Sequence, residues 1–223
     1  MESISATEEN YLKAIYKICE KEEKGATNKA ISAKMDTSAA SVTDMLKRLA
    51  KKNLIHYEKH SGVQLTQIGQ DIATYLVRKH RLWEVFLADK LHFSWDEIHP
   101  MAEELEHINS DELINRLEKF LGYPKFDPHG DPIPDAEGNI ITRQQMLLSK
   151  LEIGEKGSIV GVQEHSATFL QYLDRLGLTL GSHIALIEKF EYDQSIKIKL
   201  NGIIDLLLSD KVSNNIFIKL NNG

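Results

Sequence analysis

Two short clusters of imidazole and carboxylate side chains carry most of the chemistry in this chain. His80 and Glu84 stand four residues apart, and His99, Glu103, Glu106 and His107 follow at spacings of four, three and one. Residues three or four apart on a helix project from the same side, so each cluster can present its donors along one face. Imidazole and carboxylate ligate divalent first-row metals. With no cysteine among them, the set favours harder ions such as Mn²⁺ or Fe²⁺ over a thiolate zinc site. The plainer alternative is a solvated face, because Asp96, Glu97 and Glu104 make the same stretch generally acidic, and a surface His/Glu pair contributes only roughly a few tenths of a kcal/mol. The HExxH order of a metalloprotease is absent, and no nucleophile or acid/base set accompanies the donors, so hydrolysis is a weak reading.

Helices must position these donors. Thr66 can cap a long helix running toward Lys90, which would carry His80 and Glu84, and a second helix starting near Trp95 would carry the other four. Ahead of them lies a segment of a different kind. From Thr37, a hydroxyl residue able to cap a helix, the chain places Val42, Met45, Leu46 and Leu49 at the spacing of one buried face. Its other face carries small and hydroxyl side chains first and Lys47, Arg48, Lys51 and Lys52 later, the pattern of a helix that enters a groove and holds phosphates at its edges. Upstream, Thr27 caps a short helix with Ala30, Ile31 and Met35 before a tight link at Asp36; downstream, Ile55–Tyr57 and Val63–Leu65 can pair across a turn at Ser61-Gly62, with Lys59 and His60 near its tip. A helix-turn-helix followed by such a hairpin is a winged helix. Within it, Ser38, Ala40, Ser41 and Asp44 are expected near bases or adjoining phosphates, and Thr43, Lys47, Arg48 and Lys51 at the backbone, with Thr37 at the helix start. The same small helices could instead form a protein-interaction module.

The net charge of −6 is unusual for a DNA-binding chain until it is divided along the sequence: residues 1–79 hold 13 Lys/Arg against 10 Asp/Glu, and residues 80–223 hold 14 against 23. A mildly basic head suits phosphate contact, and an acidic body can hold cations. One cysteine, Cys19, excludes an internal disulfide and sits on an apolar helix face with Tyr11, Leu12, Ile15 and Ile18. No basic leader and no bilayer-length apolar run is present, so a cytoplasmic protein with no membrane partner is expected.

The run Arg78-Lys79-His80-Arg81-Leu82-Trp83-Glu84, the segment from His99 through Ala102-Glu103-Glu104-Leu105-Glu106-His107, and Pro128-His129-Gly130-Asp131-Pro132-Ile133-Pro134 together resemble the diphtheria toxin repressor family of metal-dependent transcriptional regulators. Tyr11-Leu12-Lys13-Ala14-Ile15-Tyr16, the groove-entering segment, and Gly62-Val63-Gln64-Leu65-Thr66 before Gly69 match as well, so the resemblance covers nearly the whole chain. It implies a mainly α fold with small β parts in three pieces: a winged helix-turn-helix over 1–75, a helical metal-binding and dimerisation domain over 76–142, and an SH3-like β-barrel over 150–223. After the Pro/Gly-rich stretch Tyr123–Gly138, strand-like runs at Ser158–Val162, His183–Ile187, Ile196–Leu200 and Ile216–Leu220 supply the barrel, interrupted by a helical stretch Thr168–Leu176; Ile203–Leu208 could be strand or buried turn.

The resemblance also implies the ligands. Glu106 and His107 match the Glu-His pair of the regulatory site. Glu103 stands where iron-responsive members have cysteine and manganese-responsive members glutamate, and Asn10 stands where they have methionine or aspartate. An amide oxygen is a hard but uncharged donor, compatible with Mn²⁺. His80, Glu84 and His99 match a second site; in barrel-bearing manganese members the resemblance implies Asp127, His129 and His165 there instead, and those three could equally order a turn or stay solvated. The expectation is therefore a homodimeric, non-enzymatic repressor of metal-homeostasis genes. It would hold two ions per subunit, Mn²⁺ with Fe²⁺ as the alternative, and bind a double-stranded operator when metal fixes its DNA-binding heads. The alternatives are a metal-buffering or interaction protein without operator binding, or a metal-dependent enzyme.

Overall fold

The computed structural model describes residues 4–20, 25–58 and 62–221, and its contacts gather the chain into two units. The expected wing-tip residues Lys59, His60 and Ser61 lie outside the described residues.

The first unit comprises residues 1–80, 105–111 and 134–140. Its first helix, α1 (Ala6–Cys19), starts on a capping box in which Ser5 and Glu8 satisfy each other's backbone N–H groups. α2 (Asn28–Lys34) begins on Thr27, whose hydroxyl accepts the Ala30 N–H at 3.1 Å, and the chain then turns at Asp36 in the left-handed region (φ 47°). α3 (Ala39–Lys51) follows. Its cap is Ser38 rather than Thr37; the Thr37 carbonyl accepts the Ser32 hydroxyl and its N–H reaches the Ser32 carbonyl, which ties Thr37 into the link. β1 (Ile55–Glu58) and β2 (Gly62–Leu65) form the antiparallel hairpin, with Ile55 opposite Leu65, and Ala26 bridges Val63 on its outer side. Leu12, Ile15, Ile31, Val42, Leu46, Leu49, Leu54 and Val63 fill one core. α4 (Gln67–Leu91) starts on the Thr66 hydroxyl, and Gly69 is required there because any Cβ would sit 1.9 Å from the Leu54 carbonyl.

The second unit comprises residues 81–104, 112–133 and 141–223. α5 (Trp95–Leu105) and α6 (Asp111–Phe120) are short helices. α5 ends before Glu106 and His107, which the spacing argument placed on the same helix; both stand in the following turn. The rest is a six-stranded antiparallel, SH3-like sheet built of β3 (Met146–Leu147), β4 (Lys156–Val162), β5 (His183–Lys189), β6 (Ile196–Leu200), β7 (Ile204–Leu208) and β8 (Ile216–Leu220), in the order β3-β8-β4-β5-β6-β7. Two helices interrupt it, α7 (Ala167–Leu176) and α8 (Asp210–Ser213). Strict alternation builds its core: Ile196, Ile198 and Leu200 point inward while Lys197 and Lys199 face out. The ambiguous Ile203–Leu208 run resolves as edge strand β7, leaving Ile204 and Leu207 exposed, and the sheet starts at Met146, ahead of the expected residue 150.

Candidate metal centre

In the second unit, Glu84, Asp127 and His129 are all buried, and one donor atom from each lies within 4.8 Å of the others. Three different local structures deliver them. Glu84 sits in α4. Asp127 heads a turn in which its Oδ1 accepts the backbone N–H of His129 and of Asp131, both at 2.9 Å. His129 follows in that turn and is fixed by its ring: Nε2 lies 2.9 Å from the Trp95 carbonyl, which can only accept, so in the neutral ring the proton is on Nε2 and Nδ1 carries the lone pair. That Nδ1 is buried, has no hydrogen-bond partner, and lies 3.7 Å from Glu84 Oε1. Once the ring gives up its Nδ1 proton, this nitrogen and the two buried carboxylates form a donor set that fits a divalent cation.

The electrostatics show the strain of holding these groups together. Burial, then the neighbouring Glu84 and Asp131 carboxylates, push Asp127 up to about 7, with Arg81 opposing. Burial favours neutral His129, but Glu84 and then Asp127 outweigh it and raise the ring to about 9. Arg81 stands on the far side of the turn, its Nε 3.6 Å from Asp127 and its guanidinium on Asp131 and the Pro132 carbonyl. The turn is docked on β4, where the His129 carbonyl accepts the Val162 N–H at 3.0 Å and Gly130 (φ 88°) passes so close that a Cβ would meet the Val160 carbonyl at 2.1 Å. Arg143 seals this contact by donating to the Gly130 and Val160 carbonyls.

The other expected residues of this unit surround the trio. His99 Nδ1 is 3.1 Å from Glu84 and its Nε2 is 3.6 Å from Glu103. The His165 ring stacks on His129 at 4.6 Å between centroids, with its Nε2 3.3 Å from the Val162 carbonyl.

Asn10, His80, Glu106 and His107 belong to the first unit. Glu106 is fully buried, with His80 Nδ1 at 2.6 Å from Oε2 and Lys13 Nζ at 2.5 and 2.8 Å from the two oxygens. His107 Nδ1 lies 2.6 Å from Glu9, and its Nε2 is 3.9 Å from Glu106. Asn10 Oδ1 is buried with no hydrogen-bond partner, a hard oxygen that only a cation or donor would satisfy. His80 thus faces Glu106 within this unit, although its four-residue spacing from Glu84 suggested a pair along α4. Sequence reasoning missed Lys13 and Glu9; their flanking of Asn10 on a helix otherwise apolar toward the core was the only signal.

On α3, Ala39, Ala40, Ser41, Asp44, Lys47, Arg48 and Lys51 are exposed, and Ser38 joins Ser41 at 2.9 Å between hydroxyls. Thr43 is half-buried and spends its hydroxyl on the Ala39 carbonyl and Asn28. Lys52, which the charge pattern placed with the phosphate-holding group, is turned to Glu8 at 2.9 Å.

Three family models match in succession: the N-terminal DNA binding domain of iron dependent repressors over residues 3–63, their metal binding and dimerisation domain over 66–135, and the FeoA domain over 146–220. The iron-dependent repressor IdeR of Mycobacterium tuberculosis is 34% identical over 136 residues, a match that spans 60% of this chain and 58% of the length of that relative. The diphtheria toxin repressor of Corynebacterium diphtheriae is 28% identical across 98% of this chain and 99% of its own length. Among solved structures, a manganese-dependent transcriptional repressor in complex with manganese superposes with a TM-score of 0.84 at 30% identity, covering 95% of this chain and 98% of that one. The manganese regulator SloR superposes with a TM-score of 0.75 at 36% identity, covering 96% and 98%.

Proposed function

The chain belongs to the iron-dependent (diphtheria toxin) repressor family, and from that premise we propose that it is a divalent-metal sensor that represses transcription by binding an operator as a homodimer. The observation that carries the reading is the buried Glu84–Asp127–His129 set, two carboxylates converging on an imidazole whose Nδ1 has no hydrogen-bond partner, an arrangement that a cation would neutralise. Mn²⁺ is the ion we assign ahead of Fe²⁺, since the donors are carboxylate, imidazole and amide oxygen with no sulfur among them.

Two sites per chain follow. The first uses Asn10, Glu106 and His107, with His80 against Glu106; the second uses Glu84, Asp127 and His129, with His99, its neighbour Glu103, and His165 beside them. A bound divalent ion supplies positive charge that holds converging carboxylates in place. The residues do the rest. Glu106 and His107 already join the Leu105–Asp111 turn to α1 through Lys13 and Glu9 within the first unit, so whatever occupies Glu106 bears on the helix that packs against the DNA-reading core. Through these contacts Glu106 and His107 would couple a bound ion to the population of operator-competent α3, and operator affinity would rise with that fraction. Genes for metal-uptake transporters are the natural targets of such a sensor.

Selection of binding sites from random duplexes, with and without Mn²⁺, tests this. The expected outcome is a two-fold symmetric sequence recovered only with metal, its half-sites about one helical turn or a multiple apart. Metal binding with no sequence recovered would leave a metal buffer, and recovery equally well without metal would remove the switch.

A further inference from the structure

Glu106 is already neutralised by a cation of the chain's own. The Lys13 ammonium chelates both carboxylate oxygens, at 2.5 and 2.8 Å, with its own side chain only 7% exposed and that of Glu106 not exposed at all. Lys79 is a second buried lysine, and it interacts electrostatically with Glu9, Glu106 and Asp111. A carboxylate this deep needs a compensating charge, and Lys13 supplies one. An ion of charge +2 on the same oxygens would face a fixed positive charge within the same contact shell, in a place where water screens little.

We propose that Lys13 is a tethered counter-cation that a divalent ion must displace from Glu106, so that this lysine sets the metal concentration at which the chain responds. This rests on the reading of Glu106 as a metal ligand. Lys13 then opposes loading in two ways: its charge repels the incoming ion, and its pairing stabilises the ion-free state that loading must disrupt. A lysine that merely braced Glu106 in its ligating position would act with the opposite sign.

The test is Mn²⁺ titration of the full chain, read by the electron paramagnetic resonance signal of free Mn²⁺, on wild type, Lys13→Met, Lys13→Arg and Glu106→Gln. Glu106→Gln should lose one equivalent of bound Mn²⁺, which identifies the binding step that belongs to this carboxylate; if both equivalents persist, Glu106 is no ligand and the underlying reading fails before Lys13 is considered. On that step, Lys13→Met, an uncharged side chain of similar length, should bind Mn²⁺ at least about tenfold more tightly, a factor equal to about 1.4 kcal/mol. The ion-free Lys13→Met protein should also melt earlier, with a larger rise in melting temperature on adding Mn²⁺. Unchanged or weaker binding by Lys13→Met overturns the proposal. Lys13→Arg keeps the charge and can hold a carboxylate through two parallel N–H bonds, so it serves even if the Met protein does not fold: it should weaken Mn²⁺ binding severalfold, and unchanged or tighter binding would again overturn the idea.

Discussion

Two titrating side chains carry the protons of the second cluster. Burial and the facing carboxylates hold Asp127 at about 7, and Glu84 and Asp127 hold His129 at about 9 against the effect of burial. Both groups are raised, so both retain protons near neutrality that a cation must expel, and Mn²⁺ affinity at this site should climb as pH rises from about 6 to about 9. Calorimetric titration at pH 7 in two buffers of different ionisation enthalpy should report between one and two protons released by this step; none released would exclude Asp127 and His129 as ligands. Glu106 is packed against Lys13 and His80 with no exposure, so Glu106→Ala would strand a buried ammonium at a cost of about 3–5 kcal/mol. Glu106→Gln keeps the volume and is the better probe.

At the scale of elements, α3 presents its exposed face as the composition of that segment required, with one reassignment. Arg48 and Lys51 remain exposed at its C-terminal end, while Lys52 is drawn back to Glu8 on α1. A lysine already paired across the core releases few counterions on meeting DNA, whereas an exposed arginine releases about one. Arg48→Ala should therefore weaken binding to every sequence alike and reduce the slope of log K against log salt by about one, while Lys52→Ala should leave the slope unchanged. Fluorescence anisotropy over a salt series separates the two; equal slopes for wild type and Arg48→Ala would remove Arg48 from the interface. The turn carrying Asp127 and His129 shows another element-scale device. Gly130 presses its backbone onto β4, and Arg143 ties the turn to the strand, so the sheet itself holds His129 in position.

At the scale of the whole molecule, the exposed apolar side chains of the second unit's helices call for a partner. Phe120 is 64% exposed, Leu91 51% and Leu113 40%, and Phe120 adjoins Phe86 at 6.4 Å between ring centroids with Lys90 over its outer ring face. All lie within the stretch matched by the metal binding and dimerisation model. Covering such side chains in a second copy is worth roughly 25 cal/mol per Å² of apolar surface removed from water, and a charge there would oppose it. Phe120→Glu should shift the protein from dimer to monomer at micromolar concentration by light scattering; an undisturbed dimer would place the interface elsewhere.

Local pattern by itself determined the elements and the residue types of the chemistry. The spacing of Val42, Leu46 and Leu49, the caps at Thr27 and Thr66, and the alternation of Ile196, Ile198 and Leu200 are short-range properties that a helix or strand enforces within a few residues. The candidate donors were legible for the same reason, and the resemblance added Asn10, Asp127 and His129 to them. Which donors meet was not legible, because it depends on contacts between residues far apart in sequence. Four-residue spacing offers His80 to Glu84 along one helix, but the fold gives it to Glu106, 26 residues on. The helix expected to carry Glu106 and His107 stops at Leu105, and both side chains turn to α1, where Lys13 and Glu9 lie more than 90 residues away in the chain. A buried charge is stable only beside its opposite, and no periodicity records where along the chain that opposite will be found; only the tertiary structure brings Lys13 to Glu106.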